Sequence, residues 1–196
     1  IHLSGSCLKV IAMVTMVIDH TACYFVSDGW QYECMRGIGR IAFPIFAFLI
    51  AEGYQHTRRK WEYGRNLLIF ASISEIPWML LHTDGSHNVL FTLLAGFCCI
   101  AILDKLKSHK ILPLLFVLVI ALATSALNTD YGIQGVALVL MFYLFKDKPL
   151  LQLLFALPLF YDFHPLGILA SFGLISLYNG ERGFIKGSYS KFLFYA

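Results

Sequence analysis

Charge is what this chain has least of. Asp, Glu, Lys and Arg make up 14% of its residues, against about 25% in a soluble domain. With 58% hydrophobic residues and a mean hydropathy of +0.70, that scarcity excludes an ordinary water-soluble fold and points to an integral membrane protein. A net charge of +3 is too small to suggest a nucleic-acid partner. The five cysteines (Cys7, Cys23, Cys34, Cys98, Cys99) contain no CxxC pair. Four lie in or beside apolar stretches, where a thiol behaves as a small hydrophobe, so no disulfide framework is expected. His and Cys lack metal-ligand spacing, and no glycine-rich loop is present to cradle a nucleotide. Internal repeats, low-complexity tracts and linkers are also missing, so the 196 residues read as one domain.

What is present is a series of apolar stretches. They run over Leu8–Val26, Ile38–Tyr54, Leu67–Leu81, Val89–Leu103, Ile111–Leu127, Tyr131–Phe145, Pro149–Tyr161 and Pro165–Tyr178. In lipid each must be helical, because its backbone groups have to be satisfied within the segment. The expected fold is therefore all-α, a polytopic membrane bundle of about eight transmembrane helices. Several stretches fall short of the roughly 20 residues a full crossing needs. The first carries a charged pair at its middle and no small-residue cleavage site, unlike a cleavable signal. A start at Ile1 rather than methionine leads us to expect a few residues ahead of it. The ending Lys191-Phe-Leu-Phe-Tyr-Ala196 reads as the beginning of a ninth span.

Charge alternation orients the spans. Lys9, Arg58, Arg59, Lys60, Arg65, Lys105, Lys107, Lys110, Lys146, Lys148, Arg182, Lys186 and Lys191 fall on one side. Asp28, Glu33, Asp84, Asp130 and Asp162 fall on the other, and only Arg36 and Arg40 break the pattern. By the positive-inside rule the basic side is cytoplasmic. A multi-pass protein of the cell membrane with a cytoplasmic N-terminus follows.

Against this apolar background the polar residues carry the information. Asp19-His20 lies inside the first span, where ionisable groups cost about 2.5–3.5 kcal/mol each and persist with a partner or a task. Arg36 and Arg40, spaced i, i+4, open the second span, Glu75 lies in the third, and Asn88 and Thr92 head the fourth. Helical rise places all of them in the outer half of the bilayer. Asp19 with Arg36 or Arg40 reads either as an ion pair locking two helices or as part of a reactive site. His20, able to take a proton near neutrality, is the sharper candidate. Pro44 and Pro77 each interrupt a span and read as a packing kink or as room for a ligand. Glu52 is expected to pair with Arg58 or Arg59. His82 and His87 flank an outer loop and read as solvated. The cytoplasmic cations serve orientation and anionic headgroups by default, yet Arg58, Arg59 and Lys60 also lie where a phosphorylated donor would sit.

The ordered blocks Leu8-Lys9-Val-Ile-Ala with Met16-Val-Ile-Asp19-His20, Arg36-Gly-Ile-Gly-Arg40-Ile-Ala-Phe-Pro44-Ile-Phe-Ala-Phe48 and Glu52-Gly53-Tyr54-Gln-His56-Thr57-Arg58 closely resemble the TraX family. Ser74-Glu75-Ile-Pro77, Asn88-Val-Leu-Phe91-Thr92 and Tyr178-Asn179-Gly180-Glu-Arg182-Gly183 extend the resemblance over nearly the whole chain. The founding activity of that family is acetylation of a pilin N-terminus, and the resemblance implies acetyl transfer, with pilin not fixed as the acceptor, and a kinship with transmembrane acyltransferases that use a membrane-embedded histidine. Acetyl-CoA is then the donor, with no metal. Asp19 and His20 match the reactive motif, and Arg36 and Arg40 the arginine motif. On this reading Arg58, Arg59, Arg65 and Lys105 hold the CoA headgroup. His20 deprotonates the acceptor or carries the acyl group, Asp19 or Glu75 orients the imidazole, and Arg40 stabilises the oxyanion. Asn88 and Thr92 meet the acceptor, a protein N-terminus or a small amine or hydroxyl at the outer face, with membrane lipid as the surrounding partner. A proton- or solute-coupled transporter and a non-catalytic assembly protein are the rival classes. Transport without CoA binding marks the first, and indifference to loss of His20 the second.

Overall fold

The computed structural model describes residues 2–161 and 165–184. Among them the chain is all-α: α1 (Gly5–Phe25), α2 (Trp30–Gly39), α3 (Ala42–His56), α4 (Lys60–Leu81), α5 (Val89–Lys105), α6 (Leu112–Ala126), α7 (Gly132–Leu144), α8 (Pro149–Leu159) and α9 (Pro165–Ser176). The β pairing in the described residues consists of isolated bridges, Leu3 with Tyr178 and His87 with Thr129. Asp162, Lys186, Lys191 and the expected ninth span lie outside the described residues.

Local chemistry explains the helix ends. Ser4 caps α1, its hydroxyl accepting from the Cys7 N–H. The Gly5 and Ser6 N–H groups, which have no partner within the helix, donate to the Glu181 and Arg182 carbonyls at 2.8 and 2.9 Å. Gly183 lets that loop come close. Its φ of +93° suits glycine, and a Cβ there would strike the Ser4 side chain. The expected span Ile38–Tyr54 is two helices with a break at Arg40–Ile41. Pro44 supplies the reason, since it cannot donate to the Arg40 carbonyl and its ring crowds it. In the first turn of α3 the missing N–H costs nothing. Pro77 acts differently, lying within α4, which continues to Leu81.

The described residues fall into two compact units, one from residues 2–49, 145–161 and 165–184, the other from residues 50–144. In the first, α1 packs on α2, α2 on α9 and α8 on α9, around Leu8, Ala12, Phe43, Ile45, Phe160 and Ile168. A Cβ on Gly167 of α9 would collide with the Gly37 carbonyl and the Arg40 Cβ. Gly167→Ala should therefore destabilise this unit by about 1–3 kcal/mol, the usual cost of overpacking. A thermal melt matching the parent would show that α9 yields freely. In the second unit α5 packs against α4, α6 and α7. Glycines allow the approach, Gly96 meeting Val139 and Gly64 meeting Phe97.

Among the described residues two stretches, Gly5–Phe25 and Trp30–His56, are long and apolar enough to cross a bilayer. The spans expected beyond Ile111 correspond to α6 to α9, with 15, 13, 11 and 12 residues. Helices of that length reach about 17–23 Å, short of the hydrocarbon thickness of about 30 Å. Leu114, Leu115, Leu118, Val119 and Leu122 of α6 are exposed, as are Ile69, Ile73, Ile76 and Leu80 of α4. Exposed apolar surface on this scale suits a membrane protein.

Candidate active site

The first unit brings Asp19 and Arg36 together. Arg36 Nη1 lies 2.7 Å from Asp19 Oδ2, joining α1 to α2, with both side chains less than a fifth exposed. Gly39 makes room for this contact, since a Cβ there would overlap the Asp19 carboxylate. Arg36 also lies over the Tyr32 ring, 6.0 Å from its centroid. Arg40, at the C-cap of α2, is half-buried with its Cβ facing the Gly167 position of α9.

His20 does not join that pair. Successive helical side chains diverge by about 100°, and the imidazole turns instead along α1, its Nδ1 lying 2.8 Å from the Met16 carbonyl. A carbonyl only accepts, so in the neutral ring Nδ1 carries the proton and Nε2 the lone pair. Where Asp19 or Glu75 was expected to orient the ring, the helix's own backbone does so. The ring opens on a depression lined by Met16, Val17, Thr21, Tyr24 and Phe25, all of α1.

In the second unit Glu75, Asn88 and Thr92 lie where α4 ends and α5 begins. Asn88 caps α5, its side-chain oxygen accepting from the Leu90 N–H. Its Nδ2 donates to Glu75 Oε2 at 2.6 Å and to the Ala71 carbonyl at 2.9 Å. The Thr92 hydroxyl lies 2.5 Å from the Asp130 carbonyl and 2.9 Å from Thr129 Oγ1. Both Asn88 and Thr92 are buried, so here they tie helices together. The fourth member is His87, whose Nδ1 lies 2.5 Å from Glu75 Oε1. Reading His87 as a solvated loop residue is thereby corrected. No spacing rule links positions 75 and 87, because the bend between two helices creates the contact. Facing them, Asn128 and Tyr131 adopt φ of +50° and +61°, a left-handed conformation costing about 1–2 kcal/mol for a residue such as tyrosine.

The basic residues expected to hold a donor gather at the other ends of α4 and α5. Arg58, Arg59, Arg65 and Lys105 are all exposed. Glu52 binds not Arg58 or Arg59 but His56, at 3.4 Å one turn along α3, while Arg59 meets Glu62 at 3.4 Å. Both pairs are local, formed within a helical turn. Lys60 Nζ lies 2.7 Å from Asp104 Oδ2 and 4.1 Å from the Tyr54 ring centroid, and the Tyr54 hydroxyl donates to the same carboxylate at 3.0 Å. The hydrogen bond from Lys60, then that from Tyr54, holds the Asp104 carboxyl below its ordinary value, and the bond to Asp104 raises Lys60. A depressed carboxyl stabilises the fold above its unfolded value of about 3.9 and loses that contribution as pH falls through the folded value. Asp104→Asn should accordingly lower the melting temperature at pH 7, and the deficit should shrink progressively as pH falls below about 4. A deficit that does not change with pH would assign the loss to packing.

With this geometry in place the chain can be set beside known proteins. The model of the family described as TraX protein matches residues 4–196. The chain belongs to the TraX family. A relative from Dichelobacter nodosus, named as probable fimbrial assembly protein FimC of serogroup H1, is 32% identical, across all of this chain and 92% of the relative. No solved structure matches. The TraX blocks read from the sequence fall at contacts and at the break between helices. Asp19-His20 lies on α1, and Arg36 to Phe48 crosses the break between α2 and α3. Glu75 and Asn88 form the joint of α4 with α5, and Tyr178 to Gly183 is the loop that meets the start of α1.

Proposed function

We propose that this TraX chain is a multi-pass acetyltransferase of the cell membrane. It crosses eight times with its N-terminus in the cytoplasm and moves an acetyl group from acetyl-CoA to an amine or hydroxyl at the outer face. The observation that carries the reading is the setting of His20, whose Nδ1 bonds to Met16 O while the residue lines an apolar depression on α1. It lies one residue from a charged pair within a bilayer-length helix. Its Nε2 serves as general base, or as the atom that carries acetyl between donor and acceptor.

The remaining roles follow from charge. Arg58, Arg59, Arg65 and Lys105, exposed and near one another in sequence or across the Lys60–Asp104 bridge, suit the phosphates of CoA. Arg40 is the cation for the oxyanion, a role worth about 2.7–4 kcal/mol for a preorganised donor. Asp19 and Arg36 hold α1 and α2 in register around His20. The fimbrial name of the relative favours a pilus-subunit N-terminus as acceptor. Membrane vesicles given radiolabelled acetyl-CoA, followed by mass spectrometry of cell-surface proteins, test the proposal. It requires an acetyl increment that depends on this protein, and identical spectra without it would end the reading. Arg58→Ala with Arg59→Ala should raise the KM for acetyl-CoA about tenfold, as expected for two lost charge-assisted contacts. A rise confined to the KM for the acceptor would move the donor site elsewhere.

That same name gives some weight to a non-catalytic part in fimbrial assembly. Pilus formation that is indifferent to His20→Ala in a folded protein would select it.

A further inference from the structure

The arrangement around Glu75 has the parts of a catalytic dyad. Glu75 is 13% exposed and His87 41%, with Nδ1 and Oε1 2.5 Å apart, so a covered carboxylate grips an imidazole that solutes can reach. An ionised carboxylate only accepts, which fixes the proton on Nδ1 and leaves Nε2 as the basic atom. Among the described residues nothing bonds to that nitrogen, and the ring's other neighbour is Phe91, 6.0 Å away edge to face. Glu75 cannot swing off, because its Oε2 receives the Asn88 backbone N–H at 3.1 Å and the Asn88 Nδ2 at 2.6 Å.

His87 is fixed from its backbone as well. Its N–H donates to the Asn128 carbonyl at 3.1 Å, and its carbonyl accepts from the Asp130 N–H at 2.9 Å. The segment that grips it carries two left-handed non-glycine residues, Asn128 and Tyr131. Strained backbone gathers where a side chain must be held for chemistry. A buried carboxylate, a ring with one fixed proton and a rigid support together meet the geometric requirements for a general base.

We infer that His87, oriented by Glu75, is the base that takes the acceptor's proton in the acetyl transfer proposed above, on which this inference rests, and of the two roles offered for His20 this leaves that of acyl carrier. As the acceptor nitrogen bonds to the acetyl carbonyl carbon, Nε2 removes a proton from that nitrogen. The bond to the leaving group breaks, and the proton returns to the group that departs, so that acetyl-CoA and amine become amide and free CoA thiol. Asn88 acts as a positioning residue through Glu75.

The test uses the full chain in lipid vesicles, with radiolabelled acetyl-CoA as donor and a synthetic peptide with a free α-amine as acceptor. Glutamine at 87 can still donate to Glu75 but offers no base, so His87→Gln should melt as the parent does while turnover falls at least a hundredfold. The KM for acetyl-CoA should stay within twofold. Turnover retained in the folded variant overturns the inference and leaves the acetyltransferase reading intact. Absence of transfer by the parent overturns both. Should His87→Gln fail to fold, diethyl pyrocarbonate on the parent decides. Loss of transfer should track carbethoxylation of the peptide bearing His87, and full modification of His87 with transfer unaffected sinks the assignment.

Discussion

His20→Ala should leave the protein folded and reduce acetyl transfer by about 10²–10⁴-fold, the usual contribution of a positioned base or nucleophile. Little stability is at risk. Among the described residues the ring's hydrogen bond goes to the carbonyl of its own helix at Met16, and the ring lines a depression rather than a packed core. Alanine also favours the helix more than histidine does. Melting temperature and CoA binding should therefore match the parent while turnover collapses. A folded His20→Ala protein with full turnover would remove His20 from the chemistry and with it the present mechanism.

Asp19→Ala should do the opposite, with the greatest stability cost expected of any change discussed here. It would leave the Arg36 guanidinium, 18% exposed, facing an empty site in an apolar setting. Breaking one side of such a pair costs about 3–5 kcal/mol. The space left beside Gly39, which the carboxylate now fills, adds a cavity to the lost charge. Pairing Asp19→Leu with Arg36→Met should recover most of the loss, because neither charge then remains to be solvated. Chemical unfolding of the single and double variants measures this. Equal stability of Asp19→Ala and parent would reduce the pair to a contact of no consequence.

How much of this was legible in the sequence depended on whether the signal was local. The helices from Leu112 onward follow the apolar stretches to within a residue or two, because hydrophobic runs bounded by Pro, Asp and Lys delimit them. The start of α4 at Lys60 was missed by seven residues relative to the expected Leu67. Its opening turns carry Lys60, Glu62 and Arg65, polar groups that an apolar window skips although they are good helix formers. Asp19 and the arginines announced a charged contact, but their heights alone could not choose Arg36 over Arg40. That choice depends on rotation about two axes and on the room left at Gly39. Glu75 was readable as an intramembrane carboxylate, whereas its partner His87 was not, since a bend joins them and no periodicity records a bend. Glu52 went to the nearer His56 because helical neighbours meet before residues beyond the helix end can compete.

The meeting of α1 with the loop after α9 takes the start of α1 out of use as an anion site. The start of a helix ordinarily offers unused N–H groups to anions. Here two of them face the Glu181 and Arg182 carbonyls, and a third meets the Ser4 hydroxyl. The positive end of the helix bearing His20 is thus neutralised from within. On the proposed reading the pyrophosphate of CoA would find its countercharge on the exposed arginine and lysine arms, so its affinity should decline as added salt screens them.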